Sequence, residues 1–493
     1  MRARLPIITA ACGLGALLTA GTAAEARSGS GSAVPGRDAA ALAGETWNAL
    51  ARGILGELIE INTTDSIGSV TAASQAMAQR FLAAGFAPAD VVVIGPNARK
   101  KNLIVRLHGS GKHPPVLLIG HLDVVEAHRE DWTTDPFKLV EKGGFFYGRG
   151  TLDMKDGDAI MVTTLLRMRK EGFRPSRDII LALTADEEGG TYNGVDWLLR
   201  NHRALIDAQF VINHDGQSVM SVHGKPQFYE LDATEKVYAD FDVLVTNPGG
   251  HSSLPVPNNA IYALVGGLER LSRYRFPFEL NNVTRGYYES MAGIETGQRA
   301  ADMRAILGSH PDARAIARLS RDPIDNATLH TTCVATRLAA GDANNALPQR
   351  AEAVVNCRIL PGHSPEEVQQ RLVSVLADPR ITVRYIADDG RIFDRAPDKR
   401  GYAPPPLDPQ VMAPLEQLVT EMWPGLKIVP TMAHGASDGA YTMAAGLPTY
   451  LVTGIAVDRD DIRSHGRDER VGVESFYRGN EFFYRYLEAV TRN

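Results

Sequence analysis

The chain has 493 residues, too many for one hydrophobic core, so two domains or one large domain carrying an insertion is expected. Composition is globular, 44% hydrophobic and 22% charged, and a formal net charge of −6 without any Lys/Arg-dense stripe excludes nucleic acid as a partner.

Residues 1–26 differ from the rest of the chain. Arg2 and Arg4 open a short basic start, an apolar run extends over residues 5–22, and Ala24-Glu25-Ala26 offers an A-x-A-type cleavage site. This pattern predicts a secretory signal and a secreted or periplasmic protein, with no membrane span once the signal is removed. Residues 27–43, opening on a Ser/Gly/Pro-rich stretch, are expected to form a flexible leader. After cleavage only Cys333 and Cys357 remain. They pair or stay buried as thiols, and neither has the CxxC or Cys/His spacing of a structural zinc site.

Trp47, Leu50, Ile54, Leu58 and Ile61 recur at helical spacing over residues 44–62, and a second helix is predicted over 71–84, stopped by Gly85. Strands follow at 91–94, 102–107 and 116–119, the last a continuous apolar run suited to burial on both faces of a sheet. His121 and Asp123 lie just past it in GHLDVV. In an open α/β sheet, ligands bind beyond the carboxyl ends of the strands, so a histidine there is placed for function. Asp153 follows in the glycine-rich stretch GGFFYGRGTLDMKD, then a helix over 157–170 and a strand over 178–184 that runs into Asp186, Glu187 and Glu188. Three successive acids repel one another unless something positive sits among them. A helix over 191–201 and a strand over 209–213 then deliver His214 and Asp215 to the same edge.

The pattern changes at Lys236. Alternation of Val237, Ala239, Phe241, Val243 and Val245 predicts a sheet with one face covered, ending in NPGGHSSLP around His251. A helix over 258–274, a partly helical stretch over 275–325, strands over 328–338, 350–360 and 381–386 and a helix over 364–376 complete an α+β insertion. Its boundaries are set at 233–392, between catalytic parts at 44–232 and 393–493. Proline-rich YAPPPLD marks the return, and the α/β pattern resumes with a helix over 410–422, HGASDGAY, a strand over 448–452, His465 in RSHGRDERV, and a closing helix over 473–490.

Imidazole nitrogen and carboxylate oxygen are ordinary zinc ligands. The supply fits two ions sharing one carboxylate: Asp153 as the bridge, His121 and Asp215 for one ion, Glu188 and His465 for the other, with His214 as a competing ligand beside Asp215. Such a pair lowers the pKa of a bound water and polarises a carbonyl. Glu187 is left as general base, Asp123 would orient His121 through the second ring nitrogen, and His251 on the insertion could donate to an oxyanion if the two domains close.

The ordered run GHLDVV, GRGTLDMKDG, TADEEGG, NHDG, GGHSS, NALP, NCRILPG, ASDG and SHGRDERV resembles the co-catalytic zinc amidohydrolases that include aminoacylase, carboxypeptidase S, bacterial glutamate carboxypeptidase and succinyl-diaminopimelate desuccinylase. The resemblance covers roughly Leu50 to the C-terminus. It implies a catalytic domain with a mainly parallel central sheet, interrupted by an α+β lid that often dimerises. It implies two Zn2+ per subunit, with Co2+ or Mn2+ as substitutes, and the same roles for the seven residues from His121 to His465 that their chemistry suggests. On the lid it assigns His251 to the transition state and Asn345 and Arg358 to the substrate, the arginine gripping its free carboxylate; Gly435 matches a substrate-side glycine-rich loop. The implied substrate is a peptide cut next to its terminal carboxylate, or an N-acyl amino acid. For the second, Phe276, Phe278, Tyr287, Tyr288, Met291 and Ile294 could line an acyl pocket, although such residues more often form lid core. NHDG and NCR depart from the family's more usual acidic-glycine and DxR wordings.

Overall fold

The computed structural model describes residues 36–387, 389–397 and 402–492, and side chains from residue 46 onward, so the predicted signal at 1–26 lies outside the described residues. Strand Val116–His121 is the centre of a six-stranded sheet in the order Val91–Ile94, Asn102–Leu107, Ile179–Thr184, Val116–His121, Phe210–Asn213, Thr449–Leu451. The last four run parallel, and the first two form an antiparallel flank. Alternate residues of the central strand feed two cores. Val116 and Leu118 join the core built with helices Gly36–Glu60, Val70–Ala83, Lys155–Glu171 and Val473–Arg492; Leu117 and Ile119 join Leu198 and Ile206 on the other face. Burial on both sides is why this run is continuously apolar, each such side chain contributing about 1.5–3 kcal/mol.

The first helix starts at Gly36, not 44, so the end of the expected flexible leader is helical. Ala and Leu, both good helix formers, dominate that stretch.

A second sheet, absent from the sequence reading, takes the order Ile428–Ala433, Lys225–Glu235, Val219–Val222, Ala456–Asp458. Its long strand buries Tyr229, Leu231 and Ala233 while Glu230 and Asp232 occupy the alternate positions. Acids have low strand propensity, which hid it.

The inserted sheet is antiparallel, in the order Thr332–Ala340, Arg350–Ile359, Val237–Thr246, Ile381–Ile386, Ile392–Phe393. Helices Ala260–Arg273 and Pro365–Leu376 cover one face through Leu264, Leu271, Val368 and Leu372. Cys333 and Cys357 face each other in register across two of its strands and form a disulfide. Four short helices begin in the stretch expected to be partly helical, and they lie between Asn282 and Leu329. Tyr288, Met291 and Met303, with Phe278, Tyr287 and Ile294, form a core with Phe228 and Val429 of the second sheet, and Phe276 packs under the inserted sheet. This is the packing of lid core, with Tyr288 and Met291 buried and Phe276, Phe278, Tyr287 and Ile294 half-buried. Among the described residues no helix is long and apolar enough to cross a membrane.

Candidate metal centre

His121 ends the central strand and is almost fully buried. Its Nδ1–H donates to the Asp123 backbone carbonyl at 3.0 Å, which leaves Nε2 as the nitrogen that can bind. Nε2 lies 3.3 Å from Asp153 Oδ1, 3.8 Å from Asp215 Oδ1 and 3.9 Å from Glu187 Oε2, yet has no hydrogen-bond partner. A buried imidazole nitrogen left unpaired among carboxylates is the donor set of a cation site.

On the other side of Asp153, His465 Nε2 is 3.0 Å from Asp153 Oδ2 and 2.8 Å from Glu188 Oε2. Two ligand groups result, His121-Asp153-Asp215 and Asp153-Glu188-His465, with the ligand atoms of each within 4.8 Å of one another. Asp153 turns one oxygen to each, the geometry of a bridge. The nitrogen and oxygen donors suit a pair of divalent ions such as zinc. Glu187 stands beside the cluster and belongs to neither group.

The electrostatics agree. Burial pushes the Glu187 carboxyl well above the usual range, and the nearby Asp215, Asp438 and Glu188 add to it, against His121. Burial lowers the His121 pKa, but Asp153 and Asp215 outweigh it and hold the imidazole well above its ordinary value. Asp153 and Glu188 raise His465 to about 10. Despite burial, His121 and His465 keep Asp153 below the usual carboxylate range. The cluster draws positive charge to the place where two ions would sit.

Asp123 meets the second ring nitrogen of His121 through its backbone carbonyl rather than its side chain. Its carboxylate is 3.8 Å from His121 Nδ1 and instead accepts the backbone N–H groups of Glu187, at 3.2 Å, and Glu188, at 2.9 Å. It fixes the loop carrying Glu187 and Glu188, while its carbonyl orients the histidine. Asp186, at φ 59°, turns that loop and pairs with the buried Lys100, which also reaches Asp65 at 2.7 Å.

His214 belongs to neither ligand group. It is buried against Phe483, ring centroids 4.7 Å apart, and burial lowers its pKa to about 4. A Cβ on Gly157 would lie 2.6 Å from its Nδ1, so glycine is what lets helix Lys155–Glu171 pass over the ring.

His251, Asn345 and Arg358 belong to neither ligand group. His251 pairs with Ala346 in a two-stranded ribbon, and the Asn345 carbonyl accepts the Ser252 N–H at 3.0 Å. His251 is exposed, its Nδ1 2.7 Å from Ser253 Oγ. Arg358 lies opposite Tyr238 in the inserted sheet, its guanidinium 4.7 Å from the ring centroid. Gly435 is exposed, with open space where a Cβ would point.

Sequence reading passed over Glu469, four residues beyond His465. It is fully buried and accepts from Arg149 Nη1 at 2.5 Å and from the backbone N–H groups of Gly150, Leu152 and Asp153 at 3.0, 2.8 and 3.0 Å. Its acidity in a run of charges was the one available signal. Asp438 of ASDG was also missed as a functional neighbour; it accepts from Asn193 Nδ2 at 2.6 Å and Thr184 Oγ1 at 2.8 Å at the end of a central strand.

A mainly parallel sheet carrying two ligand groups that share one carboxylate, with a spare glutamate alongside, defines a metallohydrolase. The chain belongs to peptidase family M20/M25/M40, whose model matches residues 117–489. It is similar to the N-fatty-acyl-amino acid synthase/hydrolase of Mus musculus, 26% identical over 389 residues, covering 76% of this chain and 74% of the relative. It is likewise similar to "Probable carboxypeptidase S-like 2" of Dictyostelium discoideum, 25% identical over 383 residues, covering 76% and 71%. Among solved structures, an M20 family metallo-carboxypeptidase from Sulfolobus solfataricus superposes with a TM-score of 0.65 at 14% identity, covering 89% of this chain and 99% of that one, a likeness of fold.

Proposed function

We propose that the protein is an exported dizinc hydrolase that cuts the amide bond next to a substrate's free carboxylate, and that its substrates are N-acyl amino acids. The observation that carries the hydrolytic reading is Asp153, one oxygen toward each ligand group, with Glu187 beside them and bound to neither. Bound zinc, or Co2+ or Mn2+ in its place, would supply Lewis acidity and a water of lowered pKa. Glu187 would serve as the general base, holding a proton at its carboxylate and passing it to the leaving nitrogen. Asp123 keeps Glu187 and Glu188 in place through their backbone N–H groups. Arg358, with Asn345, receives the substrate carboxylate, and His251 stabilises the oxyanion when the lid meets the catalytic part.

N-acyl amino acids are favoured over peptides by the N-fatty-acyl-amino acid hydrolases among the relatives. Peptides are the second reading, favoured by the carboxypeptidase S-like relative. Export is supported by the Cys333–Cys357 disulfide, which persists in oxidising compartments, and by the signal pattern at 1–26. Homodimerisation through the lid is supported by edge strand Thr332–Ala340, which exposes Val334 and Leu338, and by Tyr262 and Val265 on the neighbouring helix.

The deciding experiment measures turnover of N-acyl amino acids of graded chain length against free and N-blocked dipeptides on zinc-loaded protein, with a chelator control. Chelator-sensitive hydrolysis of the N-acyl series above the dipeptides is expected. Preference for dipeptides overturns the substrate assignment, and activity indifferent to the chelator overturns the metal chemistry.

A further inference from the structure

Glu469 gathers four donors onto one buried carboxylate, and those donors belong to the stretch that ends in the proposed bridge. It does so from a loop contributed by the far end of the chain. That loop also carries His465, which sits at φ 62°, a left-handed conformation uncommon outside glycine, and Asp468 at φ 53°. Such a backbone persists only where its surroundings hold it. Here the hold comes from several directions. Arg149 Nη2 approaches the His465 carbonyl at 3.4 Å, and the Glu469 carbonyl accepts the Gly148 N–H at 3.2 Å. Asp468 Oδ1 takes the N–H and hydroxyl of Thr133 at 2.8 and 2.9 Å, and strand Arg470–Gly472 pairs with Phe145–Tyr147. The other two residues of the first group are anchored differently: His121 ends a central strand and Asp215 follows the next.

We infer that Glu469, with Arg149, is a positioning residue that fixes Asp153 relative to His465 and thereby sets the second metal position more than the first. The inference rests on the two-metal reading of the site. Glutamine at 469 has nearly the same shape, but it replaces one acceptor oxygen by an NH2 group facing N–H donors and leaves the Arg149 guanidinium without its countercharge. Supporting partners of this kind usually change metal affinity about 10- to 100-fold.

The test is metal binding, with activity secondary. Zn2+ and Co2+ binding to full-length protein is titrated for the wild type, Glu469→Gln, His465→Ala, Asp215→Ala and the two double variants. Co2+ absorption reports the geometry of each ion, and thermal melting reports folding. Glu469→Gln is expected to keep one ion near wild-type affinity, to weaken the other at least ~10-fold, and to alter the Co2+ spectrum of that ion. Its effect should largely vanish on top of His465→Ala and persist on top of Asp215→Ala. A merely structural role would weaken both ions alike and act independently of His465, and that result overturns the inference; so does a Glu469→Gln protein holding two ions at wild-type affinity. If Glu469→Gln does not fold, Glu469→Asp, which keeps the charge but withdraws it by one methylene, is put through the same titration with the same two readings. A wild type that binds fewer than two ions defeats the two-metal reading itself, a failure distinct from that of Glu469.

Discussion

Lys236 joins the long strand of the second sheet to the first strand of the insertion, and replacing it with methionine tests how a buried ammonium holds that junction. Its side chain is inaccessible to solvent, and Nζ donates to the carbonyls of Ala327 and His330 at 2.9 and 2.8 Å and faces Thr332 Oγ1 at 3.4 Å. Burial, and then the nearby Arg358, lower its pKa from 10.5 to about 7. Between about pH 7 and 10.5 the unfolded lysine is protonated and the folded one neutral, so the unfolded state binds the extra proton and stability rises with pH. The slope is at most ~1.4 kcal/mol per pH unit. From pH 7 to pH 9 the wild type should therefore gain up to about 3 kcal/mol over Lys236→Met, whose side chain does not titrate. Below pH 7 the difference should be flat. The variant also strips two buried carbonyls of their donor, a cost of about 1–3 kcal/mol each, which shifts the whole curve without tilting it. Urea unfolding of both proteins at matched ionic strength across pH 6–9 measures the gap, and proton release linked to the metals cancels in the difference. A gap constant across that range refutes the reasoning: it would mean that the carbonyls keep the ammonium charged against its desolvation.

Three further outcomes are expected. Glu187→Ala should abolish hydrolysis while metal content by elemental analysis stays at the wild-type level; substantial activity would remove Glu187 as the base. Asp153→Ala should lose both ions, whereas Asp215→Ala retains one, and a fully metallated Asp153→Ala protein would show the bridge is misplaced. Cys333→Ser opens a disulfide spanning a sequence separation of 24 and should cost about 2–4 kcal/mol in denaturant unfolding, with the wild type falling to the same value under reductant.

What could be read beforehand was what the sheet's own periodicity writes into sequence. The apolar run before His121 and the acids ending strand Ile179–Thr184 were both legible because a strand buried on two faces has no room for polar residues until it ends at the site. The second sheet was illegible because Glu230 and Asp232 interrupt strand Lys225–Glu235. At the site, residue types pointed to the side chains that the fold gathers into two candidate groups, but partner choice was beyond them. Asp123 could bond an imidazole or two backbone N–H groups, and only the path of the loop after Thr184 decides for the latter. Glu469 was hidden for a related reason. A carboxylate whose partners are mostly backbone amides leaves no matching residue type to search for.

The order of the ligands along the chain has a consequence for biogenesis. His121, Asp153 and Asp215 are all made before the inserted sheet begins, whereas His465 comes after it and Thr449–Leu451, the last strand of the central sheet, is also late. A growing chain thus holds one complete ligand group long before the other can exist. On the two-metal reading proposed above, a product truncated before residue 449 would lack the histidine of the second group and leave the edge of the central sheet unfinished.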